Sequence, residues 1–275
     1  MALTRWPRGF HGLVPVTLLV VVVMVLITSF LILSSDNRWG FEDTPATATR
    51  MRDCYRGLQK EYYKEVPRDT SPEAENFRRK AWRLTAAVVR ALDKLHVLHW
   101  LGSGSLLGFA RQCDIVPSMG DVDIEIAVES LWKQNITVDH LLKTIRAEGP
   151  RLKLLFGRPE DSLEMTLVDD SGTKLDLFFS YPDANGTRFT NGMDSGTLER
   201  YKWPYPDFEL CWSLLDGLRI GIPCEPNHYL RIAYGPDWAS PPQKKWDYRT
   251  GRFNVVRNGY WPEEMRDEVF QTFEV

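Results

Sequence analysis

Within SMGDVDIEIAV, residues 118–128, Asp121, Asp123 and Glu125 occupy alternate positions, with Val122, Ile124 and Ile126 among the intervening apolar residues. In a strand, side chains i and i+2 share a face and lie roughly 6.5–7 Å apart. Asp121 and Asp123 are therefore spaced to converge on one divalent cation, or on two set ~3.5–4 Å apart, the arrangement that serves phosphoryl transfer. A plain amphipathic strand with a wet polar face is the bland alternative, but aspartate is depleted in strands. A calcium loop of the EF-hand type is excluded. It requires Gly at position 6 and Glu at position 12, where a count from Asp121 meets Ile126 and Trp132.

The acids follow HVLHWLGSGSLLGFARQCDIVP, which reads as a short strand, a tight turn at Gly102-Ser103-Gly104-Ser105 and the start of a helix. Glycines in such a turn let backbone N–H groups approach a phosphate at the positive end of a helix, although a Gly/Ser loop is equally an ordinary turn. Gly102 and Ser103 are the candidate donor-binding residues. Arg111, shortly after, is either a phosphate contact or a surface arginine. His96 and His99 flank the loop without a third ligand in sequence and are read as packing residues. Glu125 is read as a supporting or solvated carboxylate.

Leu101-Gly102-Ser103 followed by Asp121-Val122-Asp123 resembles the signature of the nucleotidyltransferase fold. The wider pattern is similar to the fukutin/LicD-type phosphotransferase family through GRPEDSLEMTL, TKLDLFFSY, FELCWSLLDGLRIGIPCEP, YLRIAYGPDW and NGYWPEE. The resemblance covers residues 96–275, and one departure is Met119-Gly120 where bacterial members carry further acids. It implies an α/β (α+β) fold, a nucleotidyltransferase-like mixed sheet flanked by helices. It also assigns a third acid, Asp176 in TKLDLFFSY, whose apolar neighbours describe a buried strand where an unpaired carboxylate is costly. The implied catalytic and metal-binding residues are Asp121, Asp123 and Asp176, holding Mg²⁺ or Mn²⁺. The implied reaction moves a polyol phosphate of the ribitol 5-phosphate kind from a CDP-linked donor to a glycan. A phosphocholine or sugar-phosphate transferase, or a silent glycan-binding scaffold, are the alternatives.

The elements that must position these residues begin upstream. Ser71-Pro72-Glu73 is a helix start, with an N-cap, a first-turn proline and an acid at the positive end of the dipole. Phe77, Ala81, Leu84, Val88, Ala91 and Leu95 then recur at three- and four-residue intervals, which predicts one buried stripe. Cys211 and Cys224 flank a predicted hairpin turning at Asp216-Gly217, so pairing of its strands brings the two cysteines together. Trp238, Trp246 and Trp261 form an aromatic C-terminal region, with faces suited to a sugar or a base but also to core packing. Asp161 and Glu164 read as local hydrogen-bond or surface partners.

Over 275 residues the chain is 43% hydrophobic and 26% charged, the composition of a folded protein. Its formal net charge of -3 gives no reason to expect nucleic acid. The exception is GLVPVTLLVVVVMVLITSFLIL, residues 12–33, uncharged and about as long as the ~20 residues that span a bilayer. Arg5 and Arg8 precede it while Asp36, Glu42 and Asp43 follow, so the positive-inside rule puts the N-terminus in the cytosol. The organisation expected is a cytosolic tail (1–11), a transmembrane signal anchor (12–35), a stem (36–70) and a lumenal catalytic domain (71–275). Sequons at Asn135 and Asn185 suit that side. The expectation is a single-pass type II protein of the Golgi or ER membrane, possessing as partners a nucleotide-linked donor, a glycan acceptor and other Golgi glycosyltransferases.

Overall fold

A computed structural model of the chain describes residues 51–241 and 247–274. The apolar stretch 12–33 and Trp246 lie outside them. Among the described residues no helix is long and apolar enough to cross a membrane.

The first helix, α1 (Arg56–Glu65), is followed by α2 (Pro72–Lys94). The Ser71 hydroxyl accepts from the Ala74 N–H at 3.2 Å, with Pro72, Glu73 and Glu75 in the first turn, so α2 starts where its cap residues dictate. Its expected stripe is buried at Ala81, Leu84, Val88 and Ala91 and half-buried at the ends, Phe77 and Leu95. That stripe packs with the apolar faces of the central strands into one core.

The expected stem does not stand apart over its described part. Cys54 is bonded to Cys113, Gln59 donates to the Gln112 carbonyl at 2.8 Å, and Tyr62 is buried. The boundary at residue 70 therefore divides a continuous packed unit, because a short polar segment can bury a few residues that sequence periodicity does not reveal.

Strand β1 (His99–Leu101) leads into α3 (Ser103–Gln112), and β2 (Asp121–Ala127) into the short α4 (Val128–Lys133) and α5 (Val138–Ala147). Then come β3 (Arg151–Arg158), β4 (Asp161–Val168), β5 (Lys174–Pro182), β6 (Thr187–Met193) and β7 (Glu199–Pro206). The remaining elements are β8 (Leu210–Leu215), β9 (Leu218–Pro223), α6 (Pro226–Tyr234), β10 (Val256–Tyr260), α7 (Arg266–Val269) and β11 (Phe270–Thr272).

The sheet runs β10-β7-β6-β5-β4-β3-β11, and β2 joins it by lying parallel to β5 while β1 pairs antiparallel with β2. It is the mixed α/β sheet expected. The hairpin β8–β9 turns at Asp216 and Gly217, both with positive φ of 47° and 82°, as a two-residue turn of this kind needs. Its pairing closes the expected Cys211–Cys224 disulfide.

Candidate active site

Parallel pairing sets Asp123 of β2 opposite Asp176 of β5 and Asp121 opposite Lys174. On the other side of β5, antiparallel β4 sets Thr166 opposite Asp176 and Glu164 opposite Phe178. Because alternate side chains share a face, Asp121, Asp123, Asp176 and Glu164 point the same way. All four line one cleft of about 1600 Å³.

Their charges are felt mutually. Burial and then the Asp176 carboxylate push Asp121 up to about 6. Burial, Asp121 and Asp176 hold Asp123 well above the usual carboxylate range. Glu164 is raised in the same way by burial and then by Asp176, Asp123 and Asp121. Burial also raises Asp176, against a hydrogen bond from Thr166. Four converging carboxylates in one partly dry cleft are a hard-oxygen donor set of the kind that suits Mg²⁺ or Mn²⁺, and a cation there would reverse every one of these shifts.

The acids are also held individually. The N–H groups of Gly104 and Ser105, in the first turn of α3, donate to Asp123 Oδ2 at 2.9 and 3.3 Å, and the Asp123 N–H donates to Ser105 Oγ at 2.8 Å. Thr166 donates to Asp176 Oδ1 at 2.6 Å. Among the described residues, no group of three or more His, Cys, Asp or Glu is placed to hold a metal ion. Asp121, Asp123 and Asp176 share one face of the cleft but are not a closed ligand set.

The Gly/Ser turn also has a part within the protein itself. The Gly102 N–H donates to the Asp123 carbonyl at 3.1 Å, and the amides of Gly104 and Ser105 are turned on the Asp123 side chain, so the turn orients an acid. Gly102 is required sterically: a Cβ there would fall 2.6 Å from Glu125 Cγ. Ser103 remains at the cleft wall.

Arg111 is buried rather than on the surface. It donates to the carbonyls of Trp238 and Ser240 at 3.5 and 3.3 Å and to Gln112 Oε1 at 3.0 Å, with its guanidinium over the Tyr62 ring. It fastens the C-terminal segment to α3 and α1 while lining the same cleft as the acids. Trp238 is buried as well, and its indole donates to Asn227 Oδ1 at 2.9 Å. His99 is a core residue whose Nδ1 lies 3.0 Å from the Val97 carbonyl, and burial lowers its pKa.

Glu125 is not solvated: it is fully buried and accepts from Trp100 Nε1 at 3.0 Å and from the hydroxyls of Tyr205 and Tyr229 at 2.8 Å each. Tyr205 continues through Ser180 to Arg188, whose guanidinium grips Glu129 at 2.7 and 2.8 Å.

Sequence reasoning missed two residues of the site. Glu164 was legible only through strand register, being two residues from the partner of Asp176. Arg252 had no local signal. It is 5% exposed, lines the cleft, and donates through Nη1 to Ser103 Oγ at 3.2 Å.

Residues 96–225 match the model of the LicD/FKTN/FKRP nucleotidyltransferase domain. The chain is 33% identical over 225 residues to the ribitol-5-phosphate transferase FKTN of Homo sapiens, an overlap of 82% of this chain and 47% of that protein. The Macaca fascicularis protein of the same name gives the same figures. An uncharacterized Caenorhabditis elegans protein is 28% identical over 181 residues, 63% of this chain and 46% of its own. The chain thus spans about half the length of the curated relatives it matches. The lincosamide antibiotic adenylyltransferase LnuA overlays 52% of this chain and 80% of its own at a TM-score of 0.32 and 12% identity, too slight a likeness to bear on the fold.

Proposed function

Residues 96–225 belong to the LicD/FKTN/FKRP nucleotidyltransferase-domain family, and on that premise we propose that the protein is a phosphotransferase of glycosylation. It moves a polyol phosphate of the ribitol 5-phosphate kind from a CDP-linked donor to a glycan hydroxyl. The observation that carries the reading is the convergence of Asp121, Asp123, Asp176 and Glu164 in a cleft of about 1600 Å³, roomy enough for donor and acceptor together.

In this reading Asp121, Asp123 and Asp176 hold Mg²⁺ or Mn²⁺. The cation, when bound, neutralises the donor's diphosphate and the charge left on the departing nucleotide. The acceptor oxygen bonds to the phosphorus beside the polyol, the bridging P–O bond breaks, and CMP leaves with the electron pair. A carboxylate of the same cluster takes the hydroxyl proton, and Glu164, which lines the cleft beside the three cation-holding acids, supports that role. The α3 amides aim Asp123 and favour its charged form, against the burial and the neighbouring carboxylates that raise its pKa.

The anchor and compartment belong to the same reading. Residues 12–35 serve as a signal anchor, and the described domain faces the Golgi lumen. Two disulfides and two exposed sequon asparagines support an oxidising, glycosylating compartment.

The test is CMP release by the detergent-solubilised full chain with Mn²⁺, supplied with CDP-ribitol, CDP-glycerol or CDP-choline and a mixed pool of glycan acceptors. Preference for CDP-ribitol is the expected result. Preference for CDP-choline overturns the polyol assignment, and neither release nor binding of any of the three points instead to a silent scaffold.

A further inference from the structure

Arg252 stands out among the buried cations. Its Nε and Nη2 have no hydrogen-bond partner, although both are shut away from water. An unsatisfied buried guanidinium is costly, on the order of 1–3 kcal/mol per unpaired group, and persists where something else completes it. What surrounds it keeps the charge on. Glu125, Tyr229 and Tyr234 raise its pKa in spite of burial. Trp203 lies beneath it, 5.3 Å from guanidinium to ring centroid. Its Nη1 donates to Ser103 Oγ at 3.2 Å, on the residue before the Gly104 amide that holds Asp123.

Arg252 therefore reaches the start of α3, whose amides hold Asp123, in the wall of the same cleft as the acids. A cleft lined by both a cation and carboxylates repels a lone carboxylate through the one and a lone ammonium through the other. A phosphate group satisfies both, provided that metal bridges it to the acids. We propose that Arg252, with the Ser103 hydroxyl, forms the anion subsite of the cleft and takes a phosphate oxygen pair of a diphosphate ligand through Nε and Nη2, the fork geometry that suits phosphate. Arg252 lies beyond the matched residues 96–225, so the C-terminal segment completes the site. The subsite rests on the reading of the cleft as a phosphotransferase site, but its test does not need turnover.

Inorganic pyrophosphate is the probe, titrated by calorimetry into the solubilised full chain at pH 6 in EDTA and again with Mg²⁺. The wild type binds in both conditions, more weakly in EDTA. Arg252→Gln loses roughly tenfold or more in affinity in both, the fold-change expected of one charge-assisted pair. Arg252→Lys, which keeps the charge and loses the fork, falls between. Arg257→Gln, at an exposed arginine paired with Glu199 on β10, leaves affinity unchanged. Wild-type affinity in a folded Arg252→Gln or Arg252→Lys protein overturns the proposal, as does absence of any pyrophosphate binding by the wild type. If pyrophosphate binding fails in this way while CMP release from a CDP-linked donor persists, only the subsite falls. If Arg252-dependent binding holds while no donor is turned over, only the transferase reading falls.

Discussion

Asp123 and Asp176 face each other in register across the parallel pair β2/β5, and each is met by a donor from a third element: α3 amides for Asp123 and the Thr166 hydroxyl of β4 for Asp176. The two carboxylates are thus fixed by backbone pairing rather than by long side chains, which gives a cation a rigid edge to bind. Asp123→Asn preserves shape and removes one charge. Turnover with Mn²⁺ should fall by roughly 10²–10³-fold or more, while circular dichroism and melting remain those of a folded protein. Near-normal CMP release from a folded Asp123→Asn enzyme would remove Asp123 from the chemistry.

Glu125 shares their strand face and should behave differently. Its three donors, Trp100, Tyr205 and Tyr229, have no other acceptor equal to a carboxylate. Glu125→Leu leaves them unsatisfied in a site closed to water and should cost about 3 kcal/mol or more of stability. Glu125→Gln should cost less, because a carbonyl oxygen can still serve Trp100 and Tyr205 while a tyrosine hydroxyl accepts from the amide. Chemical denaturation of both variants decides it. If Glu125→Leu were as stable as the wild type, the buried network would have no structural weight.

The Cys54–Cys113 bond spans 59 residues and ties α1, with Tyr62 and Tyr63 in the cleft wall, to the end of α3. Chain-entropy reasoning sets the gain from a loop of that length at about 4 kcal/mol. The double variant Cys54→Ser, Cys113→Ser should melt at lower temperature, and proteolysis should begin near α1. By contrast, loss of Cys211–Cys224, across 13 residues of an already paired hairpin, should cost less. Equal losses in melting scans would contradict the loop-length argument.

How far the sequence spoke depends on whether a residue's role was local. Asp121 and Asp123 were legible because the period of a strand puts them on one face, and Ser71-Pro72-Glu73 because capping chemistry sits within three residues. The β8–β9 hairpin announced itself by Asp216-Gly217. Asp176 was reached only through family resemblance, since its partner is 53 positions away along β2. Glu164 was misread as a surface residue, because only the β4/β5 register reveals that it shares a face with Asp176. Arg111 and Arg252 show the same limit: the hydrogen bonds of Arg111, at the end of α3, to the carbonyls of Trp238 and Ser240, and that of Arg252 to Ser103, 149 residues before it, span distances along the chain that no local pattern reveals.

Asn135 and Asn185 are both exposed, the first before α5 and the second in the β5–β6 turn. A lumenal domain should therefore carry glycans at both. Asn135→Gln and Asn185→Gln should each raise mobility on a denaturing gel by one step, with the wild type collapsing to the double variant after endoglycosidase. Thr137→Ala is the wrong probe, since that hydroxyl caps α5 through the His140 N–H at 3.2 Å. Protease digestion of the domain in sealed microsomes would place it on the cytosolic side and sink the topology.

The raised carboxylates predict how stability follows pH without metal. An acid whose folded pKa lies above its unfolded value contributes most below the unfolded value, ~4, and loses that contribution as pH rises through the folded value. For Asp121 the window runs from ~4 to about 6, and for Asp123 and Glu164 it extends higher. His99, with its pKa lowered by burial, acts in the opposite sense, destabilising the fold as pH falls below ~6.5. Comparing the wild type with Asp123→Asn cancels His99, which the substitution does not touch. In EDTA the variant should melt higher than the wild type at pH 7.5, and the gap should close toward pH 4.5 as the cluster takes up protons. Added Mn²⁺ should reverse the order at pH 7.5, because the cation replaces protons as the partner of the carboxylates and the variant has one fewer to offer. A gap that does not change with pH, or an order indifferent to Mn²⁺, would show that Asp123 is not charge-coupled to its neighbours.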